Sequence, residues 1–145
     1  MSIEAVVFDI GGVLEMTPAT GWQKRWAVAL GITLVELNDR LDEMWLDGSL
    51  GRMSLEELEH CTAQALGLDE AKLRAFMADL WSEYLGSLNE ELATYFISLR
   101  RQFRTGILSN SFVGAREREK DRYGFKDICD VVVYSHEEGT AKPDP

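Results

Sequence analysis

Three stretches of the chain set polar groups just behind apolar runs. Asp9 follows Ala5-Val6-Val7-Phe8, and Ser109-Asn110-Ser111 follows Gly106-Ile107-Leu108. Lys142 lies in the segment beyond Val131-Val132-Val133-Tyr134. The three kinds of group complement one another. A carboxylate can attack phosphorus, a hydroxyl with backbone N–H groups can hold the equatorial oxygens of a phosphoryl group, and an ammonium can offset their charge. Each also has a plainer reading on its own: Asp9 could cap the turn into Gly11-Gly12, Ser109-Asn110 could cap a helix, and Lys142 could be a solvated surface lysine. Their recurrence at three successive apolar runs outweighs those readings.

Groups so placed need strands that end side by side. The run Ala5-Val6-Val7-Phe8 is continuously apolar, the pattern of a strand buried on both faces. Helical spacing then takes over. Trp22, Trp26, Ala29 and Leu30 stop at Gly31, and Leu34, Leu37, Leu41, Met44 and Trp45 stop at Gly48. Ser54-Leu55-Glu56-Glu57 is a capping-box pattern ahead of Leu58, Thr62, Ala65 and Leu66. Leu73, Phe76, Met77, Leu80, Trp81 and Tyr84 mark a fourth helix. With no strand signal between them, residues from about 16 to 85 are expected to form an all-helical insert. Beyond it, Asn89 caps a helix carrying Leu92, Tyr95, Phe96, Leu99 and Phe103. Thr105–Ser109 and Val131–Tyr134 are strands on either side of a charged helix, Ala115–Arg122. Strands alternating with helices over short connections imply a parallel sheet, and ligands of such sheets bind at the carboxyl ends of the strands.

Composition narrows the partners. The chain has 145 residues, is 46% hydrophobic and carries a formal charge of −10, a soluble globular balance that argues against nucleic acid. A small anion is not excluded, because a local site can oppose the global charge. No apolar run is long enough to span a membrane, and the N-terminus lacks the pattern of a signal peptide. Cys61 and Cys129 form no metal-like spacing, so reduced thiols and a cytoplasmic setting are expected.

Taken in order, "FDIGGVL", the helical insert, "GILSNS" and "GTAKPDP" resemble the haloacid dehalogenase-like hydrolase superfamily, in the branch with a helical cap after the first motif. The resemblance implies an α/β fold: a Rossmann-like parallel sheet core, incomplete in this chain, over residues 1–15 and 86–145, with an inserted all-helical cap over 16–85. It implies that Asp9 is a nucleophile forming an aspartyl-phosphate that water hydrolyses, and that Ser109 binds a substrate phosphoryl oxygen with the Asn110 backbone beside it. Lys142 would steady both Asp9 and the transferring group. Mg²⁺ would be held by Asp9, by the Gly11 backbone carbonyl and by acids of a fourth motif. The substrate would be a small phosphorylated metabolite.

Two departures from the family pattern stand out. Family phosphatases carry a second aspartate where this chain has Gly11, and that residue's proton transfer is worth roughly 10²–10⁴-fold in rate. Glu15 is the nearest substitute acid, although it could equally begin the linker to the cap. The family's dehalogenases also lack the second acid and use no metal, which makes a metal-independent 2-haloacid dehalogenase the alternative, although "GGVL" fits that group less well. The fourth motif does not occur before Pro145. The chain is therefore expected to be shortened at its C-terminal side and inactive as it stands, a non-catalytic domain or fragment that keeps the fold. The first strand is expected to become an open edge prone to self-association. The remaining residues read as structural: His60 and His136, the charge-alternating run Arg116–Arg122 as a solvated helix face, and Trp22, Trp26, Trp45 and Trp81 as cap core, with one of the four available to face the cleft.

Overall fold

The computed structural model describes residues 2–144. Met1 and Pro145, the outermost residues of the two expected core segments, lie outside the described residues. Along the chain, β1 (Ala5–Phe8) is followed by β2 (Glu15–Met16), then by four helices, α1 (Trp22–Leu30), α2 (Leu34–Ser49), α3 (Leu55–Leu66) and α4 (Glu70–Leu85), and by β3 (Ser87–Leu88). After these come α5 (Glu90–Leu99), β4 (Arg104–Ser109), α6 (Ala115–Tyr123), α7 (Phe125–Ile128), β5 (Val131–Tyr134) and α8 (Ser135–Glu138). Strands β1, β4 and β5 form a parallel sheet in that order, with Phe8 opposite Ile107 and Ser109 opposite Tyr134. The carboxyl ends of all three strands therefore lie on one edge.

Local chemistry sets the helix boundaries. Thr33, Ser54, Asp69 and Asn89 each accept a backbone N–H three residues on, and Ser54 with Glu57 closes the full capping box. The helical insert packs around Trp22, Leu37, Leu41, Leu58, Phe76 and Trp81, while the sheet has its own core of Ile10, Leu14, Phe96, Ile107, Phe125 and Tyr134. The insert rests on the sheet through Ser135, whose hydroxyl donates to the Ser49 carbonyl at 2.8 Å and accepts the Ser111 N–H at 2.9 Å.

Four expectations need correction. Gly48 does not stop α2; it lies inside the helix, where a Cβ would stand 2.5 Å from Leu58 and 3.0 Å from Phe112. Glycine is there for close packing, and the left-handed residue of that turn is Gly51. Strands β2 and β3, which pair antiparallel as a two-strand ribbon between insert and sheet, leave no sequence signal because two residues are too few to show a period. Strand β1 is not buried on both faces. It lies at the sheet edge, with Val7 59% exposed. Lastly, the charged helix α6 is not wholly solvated, since Glu119 is 2% exposed.

Candidate active site

Asp9 ends β1 where the chain turns through Ile10–Val13, closed by the Val13 N–H on the Ile10 carbonyl at 3.0 Å. One carboxylate oxygen accepts the Ile10 N–H at 2.8 Å, and the other receives Lys142 Nζ at 2.7 Å. Lys142 also donates to the Leu108 carbonyl at 2.7 Å, which ties its ammonium to the end of β4. The loop carrying Lys142 is held by the Asn110 side chain: Oδ1 accepts the Lys142 N–H at 2.8 Å and Nδ2 donates to the Lys142 carbonyl at 3.0 Å. Ser109 is 3% exposed at the end of β4, and its hydroxyl donates to the Asn110 carbonyl at 3.3 Å. Asp9, Ser109, Asn110 and Lys142 are thus brought to one edge of the sheet. The Asn110 side chain is committed to Lys142, which leaves its backbone as the part available to a ligand.

Gly11 sits beside this cluster for no conformational reason. Its backbone is outside the left-handed region, and a Cβ there would meet nothing within 4 Å, whereas its neighbour Gly12 has φ +71°. The absence of a second acid at position 11 is therefore a chemical feature of the chain, not a steric one.

Two other carboxyls come close instead. Glu15, in β2, is 2% exposed. One of its oxygens accepts the Thr17 hydroxyl at 2.7 Å and the other has no partner among the described residues, and burial pushes its pKa up. Glu119 accepts the Tyr134 hydroxyl, and burial raises its pKa from 4.5 to about 7, with the Glu15 charge adding to the shift and Arg116 opposing it. Glu15, Glu119, Gly11, Ser109 and Tyr84 line one cavity of 110 Å³. Charge alternation hid Glu119 in the sequence. The available signal was the spacing Ala115-Glu119-Tyr123, which puts the acid on the same helix face as the fully buried Ala115.

The Glu119 pKa carries an expected result. The folded protein holds this proton more tightly than the unfolded chain, so stability is complete below about pH 4.5 and is lost as pH rises through about 7. The shift corresponds to roughly 3 kcal/mol, at about 1.4 kcal/mol per unit. Glu119→Gln keeps an acceptor for the Tyr134 hydroxyl and removes the titration. Urea denaturation at pH 5 and pH 8 is expected to show a much smaller loss of stability with rising pH than the parent, the residual slope combining the raised Glu15 with the lowered His136, which acts in the opposite direction. An unchanged slope would show that Glu119 is not the group responsible.

A larger cavity of 320 Å³ adjoins the small one. Thr17, Tyr84 and Asn110 belong to the walls of both. Two tryptophans, Trp22 and Trp45, face it, not one as expected. Trp26 instead donates to Asp79 at 2.8 Å, and Trp81 lies under the Arg118 guanidinium. His136 meets Ser111 at 2.7 Å and burial lowers its pKa, while His60 contacts Gln64 on the surface. Both fit the structural reading.

Magnesium takes hard oxygen donors and keeps several waters, and the Asp9 carboxylate with the Gly11 carbonyl is a donor pair of that kind. Among the described residues no group of three or more His, Cys, Asp or Glu side chains could hold a metal, so Asp9 and Gly11 form only part of a ligand set. No helix among the described residues is long and apolar enough to cross a membrane.

No family model matches the chain. A pyrimidine 5'-nucleotidase of Escherichia coli is 26% identical over 104 residues, covering 69% of this chain and 46% of the relative. The chain thus spans under half the length of that curated relative. Among solved structures, a HAD family enzyme of Bacteroides thetaiotaomicron superposes with a TM-score of 0.83 at 18% identity, over 100% of this chain and 74% of its own. The same enzyme has been solved as a complex with magnesium and inorganic phosphate. A 2-haloacid dehalogenase of Pseudomonas syringae superposes with a TM-score of 0.66 at 19% identity, over 99% and 69%.

Proposed function

We propose, since this chain has the capped α/β core of the haloacid dehalogenase-like hydrolase superfamily, that the full-length protein to which it belongs hydrolyses the phosphate ester of a small phosphorylated metabolite, with Asp9 as the nucleophile. The observation that carries the reading is the Lys142 Nζ–Asp9 contact of 2.7 Å, anchored through Asn110 beside Ser109. A lysine so placed orients the carboxylate, and it faces the charge that builds on a transferring phosphoryl group. One Asp9 oxygen attacks phosphorus, the ester oxygen departs with the bond it held, and water later cleaves the acyl phosphate to return the carboxylate. Ser109 and the Asn110 backbone would hold the non-bridging oxygens. Magnesium held by Asp9 and the Gly11 carbonyl would neutralise charge at those oxygens. The relative that acts on pyrimidine nucleotides and the one solved with magnesium and phosphate both support this choice.

The glycine at position 11 and the fold shared with a dehalogenase favour a second reading, in which Asp9 displaces halide from a 2-haloacid without a metal. Chelation separates the two. Phosphate release from a panel of phosphomonoesters is expected to stop in EDTA and return with Mg²⁺. Halide release from 2-chloropropionate that is indifferent to EDTA would replace the phosphatase reading with the other.

A further inference from the structure

The 320 Å³ cavity has a chemical character unlike that of the Asp9 cluster beside it. Its walls are dominated by Trp22, Trp45, Tyr84 and Phe112. Trp22 and Trp45 stack with centroids 6.1 Å apart, and Phe112 meets Trp45 edge-on at 6.3 Å. Among the described residues no lysine, arginine or histidine lines it, and its one charged wall group is Glu83, which accepts the Thr20 N–H at 2.7 Å. The cavity is at the small end of the range of about 300–1,000 Å³ usual for ligand pockets. Because Thr17, Tyr84 and Asn110 are shared with the cavity that holds Gly11 and Ser109, a molecule bound at the strand ends would extend directly into it.

We infer that this cavity receives the leaving alcohol and selects phosphomonoesters whose alcohol is compact, uncharged and aromatic, against those that carry a second anionic group. The inference rests on the phosphatase reading for the reaction but on the cavity walls for the selection. A planar ring in the cavity meets a wall that includes Trp45 and Phe112, and aromatic pairs add roughly 0.5–1.5 kcal/mol to the area they bury. A second phosphate would have to enter a largely apolar space facing Glu83 with no cation to receive it, which is costly for a charge.

The test compares benzyl phosphate, glycerol 3-phosphate and fructose 1,6-bisphosphate by phosphate release. Benzyl alcohol is as poor a leaving group as glycerol, so the comparison reads binding and not intrinsic reactivity. Benzyl phosphate is expected to lead in kcat/KM by about tenfold or more, the scale that apolar pockets reach. Trp45→Leu is expected to narrow that lead, and Glu83→Lys to raise kcat/KM for the bisphosphate. A second readout needs no turnover: benzyl alcohol is expected to quench tryptophan fluorescence in the Asp9→Asn protein and to lose most of that effect when Trp45→Leu is added. Quenching without phosphate release from any ester by the full-length protein would sink the phosphatase reading and keep the cavity assignment. Phosphate release with no preference for benzyl phosphate, or no quenching, would overturn the cavity assignment.

Discussion

In the full-length protein Asp9→Asn is expected to lower turnover by about 10⁴–10⁶-fold, the range seen when a covalent nucleophile is removed. The substitution is nearly isosteric, so the loss should be chemical. The amide oxygen still accepts the Ile10 N–H, and Lys142 keeps the Leu108 carbonyl as partner at 2.7 Å. An amide is not a nucleophile toward phosphorus, and among the described residues Lys142 contacts no other carboxylate. Removing the negative partner also leaves the ammonium freer to meet an anion, so inorganic phosphate is expected to bind the variant at least as tightly as the parent. Single-turnover kinetics, phosphate binding by calorimetry and a urea midpoint would together make the test. A variant keeping more than about a tenth of the parent activity would remove Asp9 from the chemistry.

Gly11→Asp is the converse experiment, expected to raise phosphate release by about tenfold or more. A positioned acid that protonates a departing alkoxide contributes roughly 10²–10⁴-fold where it is fully effective. The gain should be smaller here because the surrounding residues have not been arranged for it. Position 11 accepts a side chain without strain, since its backbone is not left-handed and nothing lies within 4 Å of a Cβ. The added charge lies near two buried acids, Glu15 and Glu119, so some stability is expected to be lost above neutral pH. The discriminating measurement is kcat for esters of good and poor leaving groups. The gain should be largest for poor ones, which need the proton, and a variant equal to the parent on both would mean that the acid is already supplied from elsewhere.

The chemistry-bearing ends of the strands were legible in the sequence because each was announced by an apolar run and a break. Asp9, Ser109, Asn110 and Lys142 do converge, with Lys142 and Asp9 in direct contact. What the residues did not show is how the parts are fastened. In sequence Asn110 has a ligand role through its backbone and none for its side chain; that side chain clamps the Lys142 backbone, a pairing across more than thirty positions that no local pattern encodes. Glu119 was concealed for a related reason. A helix with seven consecutive charges between Ala115 and Tyr123 looks solvated until Tyr134, from a strand, covers one of them. Gly48 illustrates the opposite error: a residue that usually ends helices was used for its lack of volume, against Phe112 from a distant loop. Tertiary partners, not propensity, decided all three.

The two-residue strands β2 and β3 have an entropic meaning. Closing a flexible loop of about seventy residues costs roughly 2–3 kcal/mol more than closing a four-residue turn. The helical insert meets that cost inside itself, because its own core delivers the two ends as neighbours, with Glu15 opposite Leu88 and Met16 opposite Ser87. To the sheet, the whole insert is therefore equivalent to a hairpin turn. Any helical module that leaves and returns through the same ribbon could take its place without disturbing the register of Ala5 with Arg104, so the cavity walls can be exchanged while the strand ends that carry Asp9 and Ser109 stay put.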